Sequence, residues 1–290
     1  MLLPIVVGVD GSESSLGAID WAADEAALHS LPLRLVHACL WERYEGSAFT
    51  ESTEVASERM LAQAIIERAT ERARQDHPEV RISVDIVPED AEATLLREAR
   101  RATVVVTGCR GRGPITGTLL GSVSRSLATR APCTVVVVRC PRKNRQPANG
   151  PIVVGVDDPA SGAAAIRFAF HEAQARHSVL EAIHTWRRPV HRAQAHPLFV
   201  GNLAHEHEDQ AAAMLDRALR DAERDHPDMP VRRVITEGSA HHVLLAHSAT
   251  ADLLVLGAPR RRGPLGLPLG SVAHAVLRHA VCPVAVVPQH

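Results

Sequence analysis

The sequence predicts an α/β protein of two tandem flavodoxin- or Rossmann-like domains, each a five-stranded parallel sheet with helices on both faces. Three observations carry this. The chain repeats itself: "IVVGVDGSESSLGAIDWAADEA" from Ile5 returns as "IVVGVDDPASGAAAIRFAFHEA" from Ile152, and "LLGSVSRSLATRAPCTVVVV" from Leu119 returns as "PLGSVAHAVLRHAVCPVAVV" from Pro268. Gly8 thus answers to Gly155 and Gly121 to Gly270, offsets of 147 and 149, so order and spacing survive across a whole half. Within each copy, short β-branched runs alternate with longer segments of helical period, and these runs are apolar on both faces, as strands of a covered parallel sheet must be. Finally, glycine-rich stretches follow the first and fourth strands, where such sheets place their ligands.

The elements of the first copy follow in order. Strands are expected at Ile5–Asp10, Leu33–Ala38, Arg81–Val87, Thr103–Gly108 and Thr134–Val138. Ser12 is positioned as the N-cap of the first helix. A long helix runs from about Thr53 to Asp76, with Leu61, Ile65, Ala69 and Ala73 as its apolar face. A short helix covers about Ala93 to Arg100, and a last one starts near Gly121. Crossovers between parallel strands should be right-handed. The join "CPRKNRQPANG", Cys140 to Gly150, has linker composition, which sets domains at 1–142 and 150–290 around a linker at 143–149.

Composition excludes several classes of function. The 290 residues are 46% hydrophobic and 22% charged with a formal net charge of -1, so no basic field points to nucleic acid or an anionic membrane. Aromatic residues at 3% leave little to stack on bases. No apolar run reaches the roughly 18 residues of a membrane span, and no cleavage signature follows the N-terminus, so a cytoplasmic protein is expected. Five cysteines (Cys39, Cys109, Cys133, Cys140, Cys282) are odd in number and lack any C-x-x-C, which favours reduced thiols.

Specificity must then come from a local site, and the best candidate is "GCRGRGPITGTLLGS", Gly108 to Ser122. If the first and fourth strands are neighbours, as in the order 2-1-3-4-5 or a close relative, Asp10 and Gly108 face one crevice. Gly108 and Gly111 let backbone amides approach a ligand, and Gly121-Ser122 opens a helix whose free N–H groups and dipole favour an anion. Arg110 and Arg112 would supply charge at the rim. Asp10, an acceptor when ionised, suits a ribose hydroxyl or a magnesium ion. The stretch has no lysine and no Walker A spacing, and the dinucleotide fingerprint belongs after the first strand, so neither of those machines is indicated.

"VVVTGCRGRGPITGTLLGSVSRSLATRAPCTVVVVR" resembles the signature of the universal stress protein family, in which G-x2-G-x9-G-[ST] marks ATP-binding members. Gly108, Gly111, Gly121 and Ser122 match it, while "VVGVDGS" (with Gly8 and Asp10) and "LVHA" resemble the family's first two strands. The resemblance covers both halves and implies a tandem member. It implies a strand order of 3-2-1-4-5 and an adenine-nucleotide pocket: Asp10 at the ribose, backbone near Ala38 at the adenine, and the Gly108, Cys109, Arg110, Gly111, Arg112, Gly113 loop with Ser122-Val123 at the phosphates. It also implies association through the last strand, as a homodimer or as an intramolecular pseudo-dimer with the two domains about a pseudo-twofold axis, and a regulatory role read by a protein partner.

The second copy departs from the motif. Gly155, Asp157, Gly257, Gly270, Ser271 and Val272 are retained, but Arg260 stands at the second motif glycine, so weaker or altered binding is expected there. Other residues carry bland readings. "HEHED", His205 to Asp209, has its histidines at i, i+2 on different helix faces, and reads as an exposed helix rather than a metal site. His37 and His184 recur at the ends of the second strands and read as satisfied core or rim residues. Cys109 has no assigned base and answers to Ala258, which argues against a catalytic thiol. The acidic run "WERYEGSAFTESTEVASE" reads as a solvated loop over the crevice. No general base stands out, so slow ATP hydrolysis, nucleotidyl transfer and a non-nucleotide association module all stay open beside ATP-dependent regulation.

Overall fold

The computed structural model describes residues 2–39, 53–111, 120–139, 150–157, 159–187, 200–259 and 269–289. The chain divides into two units, Met1–Gln146 and Pro147–His290. In the first, β1 (Ile5–Gly8), β2 (Leu33–Ala38), β3 (Ile82–Val87), β4 (Val104–Gly108) and β5 (Thr134–Val138) form a parallel sheet in the order β3-β2-β1-β4-β5. The apolar strands are buried on both faces: Ile5, Val6 and Val7 are fully buried, and all five residues of β4 and of β5 are buried. Helix α1 (Glu13–Leu28) packs with α2 (Thr53–Asp76), and α3 (Ala91–Glu98) with α4 (Ser122–Arg130), one pair on each face.

Local signals explain most boundaries. Ser12 has extended backbone and its Oγ accepts the Ser15 N–H, which caps α1 as expected. The helix ends at Ser30, a left-handed residue at φ 53°, and the Leu31 N–H returns to the Ala26 carbonyl at 2.8 Å. Asp90 caps α3 through Ala93 N–H, so that helix starts two residues before the expected Ala93 and gives way to a 3-10 turn at Ala99–Arg101.

One expectation fails in detail. The buried stripe of α2 is Ala62, Ile66, Ala69 and Ala73, whereas Leu61 is 47% exposed and Ile65 is half-buried. Spacing of 4, 3 and 4 follows the helical period, while three successive steps of four drift around the axis and leave the contact face. This stripe is the one α2 turns to α1 and β2.

The second unit repeats the plan. Its strands β6 (Ile152–Gly155), β7 (Leu180–Trp186), β8 (Val231–Glu237), β9 (Leu253–Pro259) and β10 (Val284–Gln289) order as β8-β7-β6-β9-β10, all parallel. Helices α5 (Pro159–Ala175) and α6 (Val200–Asp225) pack together, as do α7 (Ala240–His247) and α8 (Ser271–His279). His177 at φ 50° ends α5 as Ser30 ends α1.

Charge on the second strand is paired in both units with opposite sign, half-buried in the first and buried in the second. Arg34 on β2 reaches Glu98 at 2.9 Å and Asp85 at 2.8 Å; its counterpart Glu181 on β7 accepts from Arg232 at 2.5 Å and His247 at 2.9 Å. What the fold requires there is satisfaction of the charge, and either sign meets it. The same holds for the histidines: His37 Nδ1 sits 2.6 Å from the Val9 carbonyl and His184 Nδ1 2.8 Å from that of Val156, so each acts as an N–H donor tying the second strand to the first. "HEHED" lies on α6, with His205 and Glu206 exposed and His207 tilted against Trp186.

Candidate functional site

The crevice of the first unit is built where β1 and β4, which pair directly, both end. After β1 the Val9 N–H still bonds the Val36 carbonyl; the chain then turns at Asp10. Asp10 Oδ1 accepts the Ser12 N–H at 2.9 Å, and Gly11 at φ +78° takes a conformation that a side chain would resist. After β4, the Cys109 N–H continues to the Val138 carbonyl at 2.8 Å, and the Cys109 carbonyl accepts the Gly121 N–H at 2.9 Å. The far end of the glycine stretch is thereby returned to its beginning.

Two side-chain contacts clamp this loop to its surroundings: Ser14 Oγ donates to the Arg110 carbonyl at 2.5 Å and Ser124 Oγ to the Gly108 carbonyl at 2.7 Å. Helix α4 starts at Gly121 with no side-chain cap among the described residues. Among the described residues the N-cap Gly121 supplies no side-chain acceptor to the first turn of α4, and with the helix dipole its N–H groups form an anion-favouring end. The approach is close: a Cβ on Gly108 would sit 2.6 Å from the Ser14 backbone carbon, and one on Gly111 would sit 2.9 Å from Asp10 Oδ2.

These elements enclose a cavity of about 520 Å³. Of the residues expected at the site, Gly8, Asp10, Ala38, Gly108, Arg110, Gly111, Gly121, Ser122 and Val123 line it. Cys109 is not among them; it is buried, and its backbone bonds the Val138 carbonyl and the Gly121 N–H. Arg112 and Gly113 lie outside the described residues, as do Arg260, the linker 143–149 and the greater part of the acidic run at 40–52. Other lining residues were not foreseen, among them Ser15, whose Oγ accepts the Asp10 N–H at 3.3 Å, Leu95 of α3, and Arg125, one helical turn beyond Gly121. The helical period of α4 would have revealed Arg125, since i and i+4 share a face. Leu95 comes from a separate element, and no local pattern announces it. Beyond Ala38, burial pushes the Cys39 thiol above its ordinary range, and the Glu58 carboxylate adds to the shift.

In the second unit Gly155, Asp157, Gly257, Gly270, Ser271 and Val272 stand at the same strand ends and helix start, but the fourth strand runs further. β9 stays paired with β10 through Gly257–Val287, Ala258–Pro288 and Pro259–Gln289, running on past the position where β4 ends. The Gln289 amide lies against Gly257, 2.8 Å from where a Cβ would be, and a Cβ on Gly270 would meet nothing within 4 Å. At Gly121 the same atom would meet the Cys109 carbonyl at 3.4 Å.

Fold and crevice together define a tandem, doubly wound α/β protein whose first unit carries a glycine-lined cavity at its strand ends. The universal stress protein family matches residues 1–139 and 149–288, and the chain belongs to that family. A universal stress protein of Mycobacterium tuberculosis is 36% identical over 305 residues, covering 98% of this chain and 94% of its own. One from Mycolicibacterium smegmatis is 32% identical over 288 residues, with 98% and 96% covered. The crystal structure of a universal stress protein from Archaeoglobus fulgidus superposes with a TM-score of 0.71 at 15% identity, over 99% of this chain and 98% of that one, a likeness of fold.

Proposed function

We propose that the cleft of the first unit binds an adenine nucleotide, ATP together with Mg2+, and that the protein is a nucleotide-dependent regulator of stress adaptation or growth. One observation carries the reading: Asp10, the Gly108–Gly111 backbone and the uncapped start of α4 converge on a single cavity of about 520 Å³. That volume is in the range of small-molecule sites. Asp10 serves the ribose hydroxyls, the backbone at Ala38 the adenine, and the Gly108–Gly113 loop with Ser122 and Val123 the phosphates. Asp10 Oδ1 is engaged by Ser12 while Oδ2 faces Gly111, and a carboxylate oxygen is a donor that would suit a magnesium ion. A bound ion would neutralise phosphate charge.

The second unit binds more weakly, because β9 continues in register beside β10 and Gln289 occupies the face of Gly257. Nucleotide orders the loops around the first cleft, and a partner protein reads the ordered surface; the shift is limited by the difference in affinity between the two states. β5 and β10 end the sheets of their units, and apolar edges need cover, which pairing between the halves or between two chains supplies. Among the described residues no helix is long and apolar enough to cross a membrane, in keeping with a cytoplasmic role.

Titration calorimetry of the full chain with ATP, with and without Mg2+, tests the reading, alongside mass spectrometry of nucleotide released by heat from natively purified protein. Binding at one site is expected. Absence of any bound or bindable ATP overturns the proposal, and turnover of about one per second or faster would make the protein a hydrolase instead.

A further inference from the structure

We propose that Arg110 and Arg125 act as a pair that selects for the length of the phosphate chain, so that the cleft takes nucleoside di- and triphosphates in preference to monophosphates. The proposal rests on the nucleotide reading of the same cavity and adds a specificity determinant to it.

Both arginines line the cavity, Arg110 from the loop after β4 and Arg125 from the first turn and a half of α4. Arg110 Nε is buried without a hydrogen-bond partner among the described residues. Arg125 is exposed and forms no ion pair among them, whereas Arg34, Arg72, Arg97 and Arg130 of the same unit all reach carboxylates. A buried, unmatched guanidinium N–H is costly to hold and signals an acceptor supplied from outside. Side chains of a helix lean toward its N-terminus, which directs Arg125 back over the start of α4. The cavity wall therefore carries two guanidinium groups against the single carboxylate of Asp10. Each phosphoryl group added to a ligand adds negative charge at that end, and forked guanidinium donors match phosphate oxygens.

The second unit supplies an internal comparison. At the offset that relates Gly121 to Gly270, Arg110 becomes Pro259 and Arg125 becomes His274, and Ser124, which ties α4 to the Gly108 carbonyl, becomes Ala273. At these two positions neither guanidinium is kept in the unit whose β9 runs on beside β10, although Arg260 follows Pro259 directly.

The test measures dissociation constants of ATP, ADP, AMP, adenosine and inorganic tripolyphosphate on the full chain, for the unmodified protein, Arg125→Gln, Arg125→Lys and Arg110→Gln, across a range of salt concentrations. The unmodified protein is expected to bind ATP at least about tenfold more tightly than AMP, and tripolyphosphate alone to compete with ATP. In Arg125→Gln, ATP weakens about five- to tenfold, the magnitude of one charge-assisted bond at a partly screened site, while AMP and adenosine change by less than about twofold. The salt dependence of ATP binding becomes shallower, and Arg125→Lys restores most of the loss. Arg110→Gln behaves alike with a larger effect, since its Nε is buried. Equal losses for ATP and AMP, or no loss for ATP, would overturn the proposal while leaving nucleotide binding intact. An unmodified protein that binds none of the adenine compounds would overturn both.

Discussion

Replacing Gly108 with alanine puts a Cβ 2.6 Å from the carbonyl carbon of Ser14, 2.6 Å from its Oγ and 2.7 Å from its carbonyl oxygen. Two of those atoms are backbone at the start of α1. That start is held by the Ser12 cap and by the bond from Ser14 to the Arg110 carbonyl, so it cannot retreat without breaking them. Ordinary contact needs close to a further ångström, and overpacking of this kind costs about 2–3 kcal/mol. For a unit of this size that lowers the melting midpoint by about 4–10 °C. The matching change in the second unit provides the control. A Cβ on Gly257 meets the Gln289 amide nitrogen at 2.8 Å, the far end of a flexible side chain, and its displacement should cost about 1 kcal/mol or less. Scanning calorimetry of the two variants against the unmodified chain should find Gly108→Ala far the more damaging. Adding Ser14→Ala to Gly108→Ala relieves the Oγ contact but keeps both backbone contacts and gives up the bond to the Arg110 carbonyl, so most of the loss should stay. Equal shifts for the two glycines, or full rescue by Ser14→Ala, would refute the reasoning.

Gly111→Ala meets only the rotatable carboxylate of Asp10 at 2.9 Å, so stability should change by no more than about 0.5 kcal/mol while ATP affinity falls roughly tenfold through displaced Asp10; calorimetric titration checks both, and unchanged affinity contradicts the assignment of Asp10. Asp20→Ala strips a bidentate partner, at 2.5 and 2.7 Å, from Arg72, whose guanidinium it holds above its ordinary pKa, and chemical denaturation should register a loss of about 1–2 kcal/mol. Cys39 should alkylate with a pH midpoint above the ordinary thiol value of about 8.5, because burial and then Glu58 disfavour the thiolate. The sign for stability follows: its pKa is raised in the folded state, so its contribution is complete below the unfolded value and is lost as pH rises through the folded one. An alkylation profile at or below that of a free thiol would contradict the burial of this site.

Much of the fold is legible because its signals are local. The start of α1 needs only Ser12 and the Ser15 amide; the span of α2 needs only periodicity; the ends of β2 and β5 coincide with the ends of their β-branched runs. The repeat contributes the rest, since two copies that preserve spacing must preserve architecture. Precision fails where a neighbour decides. Which stripe of α2 is buried depended on the face it turns to α1 and β2, and alanines prevailed over Leu61.

The same division holds at the cleft. Composition and spacing alone determined that a glycine-lined, anion-favouring loop follows the fourth strand and that Asp10 follows the first, because backbone freedom and helix starts are written in residue type and order. Tertiary structure decided what those pieces make. Pairing of β1 with β4 brings Asp10 Oδ2 within 2.9 Å of a Cβ position on Gly111, turns the Cys109 side chain out of the cavity wall, and leaves Arg110 and Arg125 on that wall without carboxylates among the described residues. It also set Gln289 against Gly257 in the second unit. Such facts depend on distances between residues 32 positions apart, for Gly257 and Gln289, to 101 apart, for Asp10 and Gly111, and a distance of that kind exists only once the sheet has closed around it.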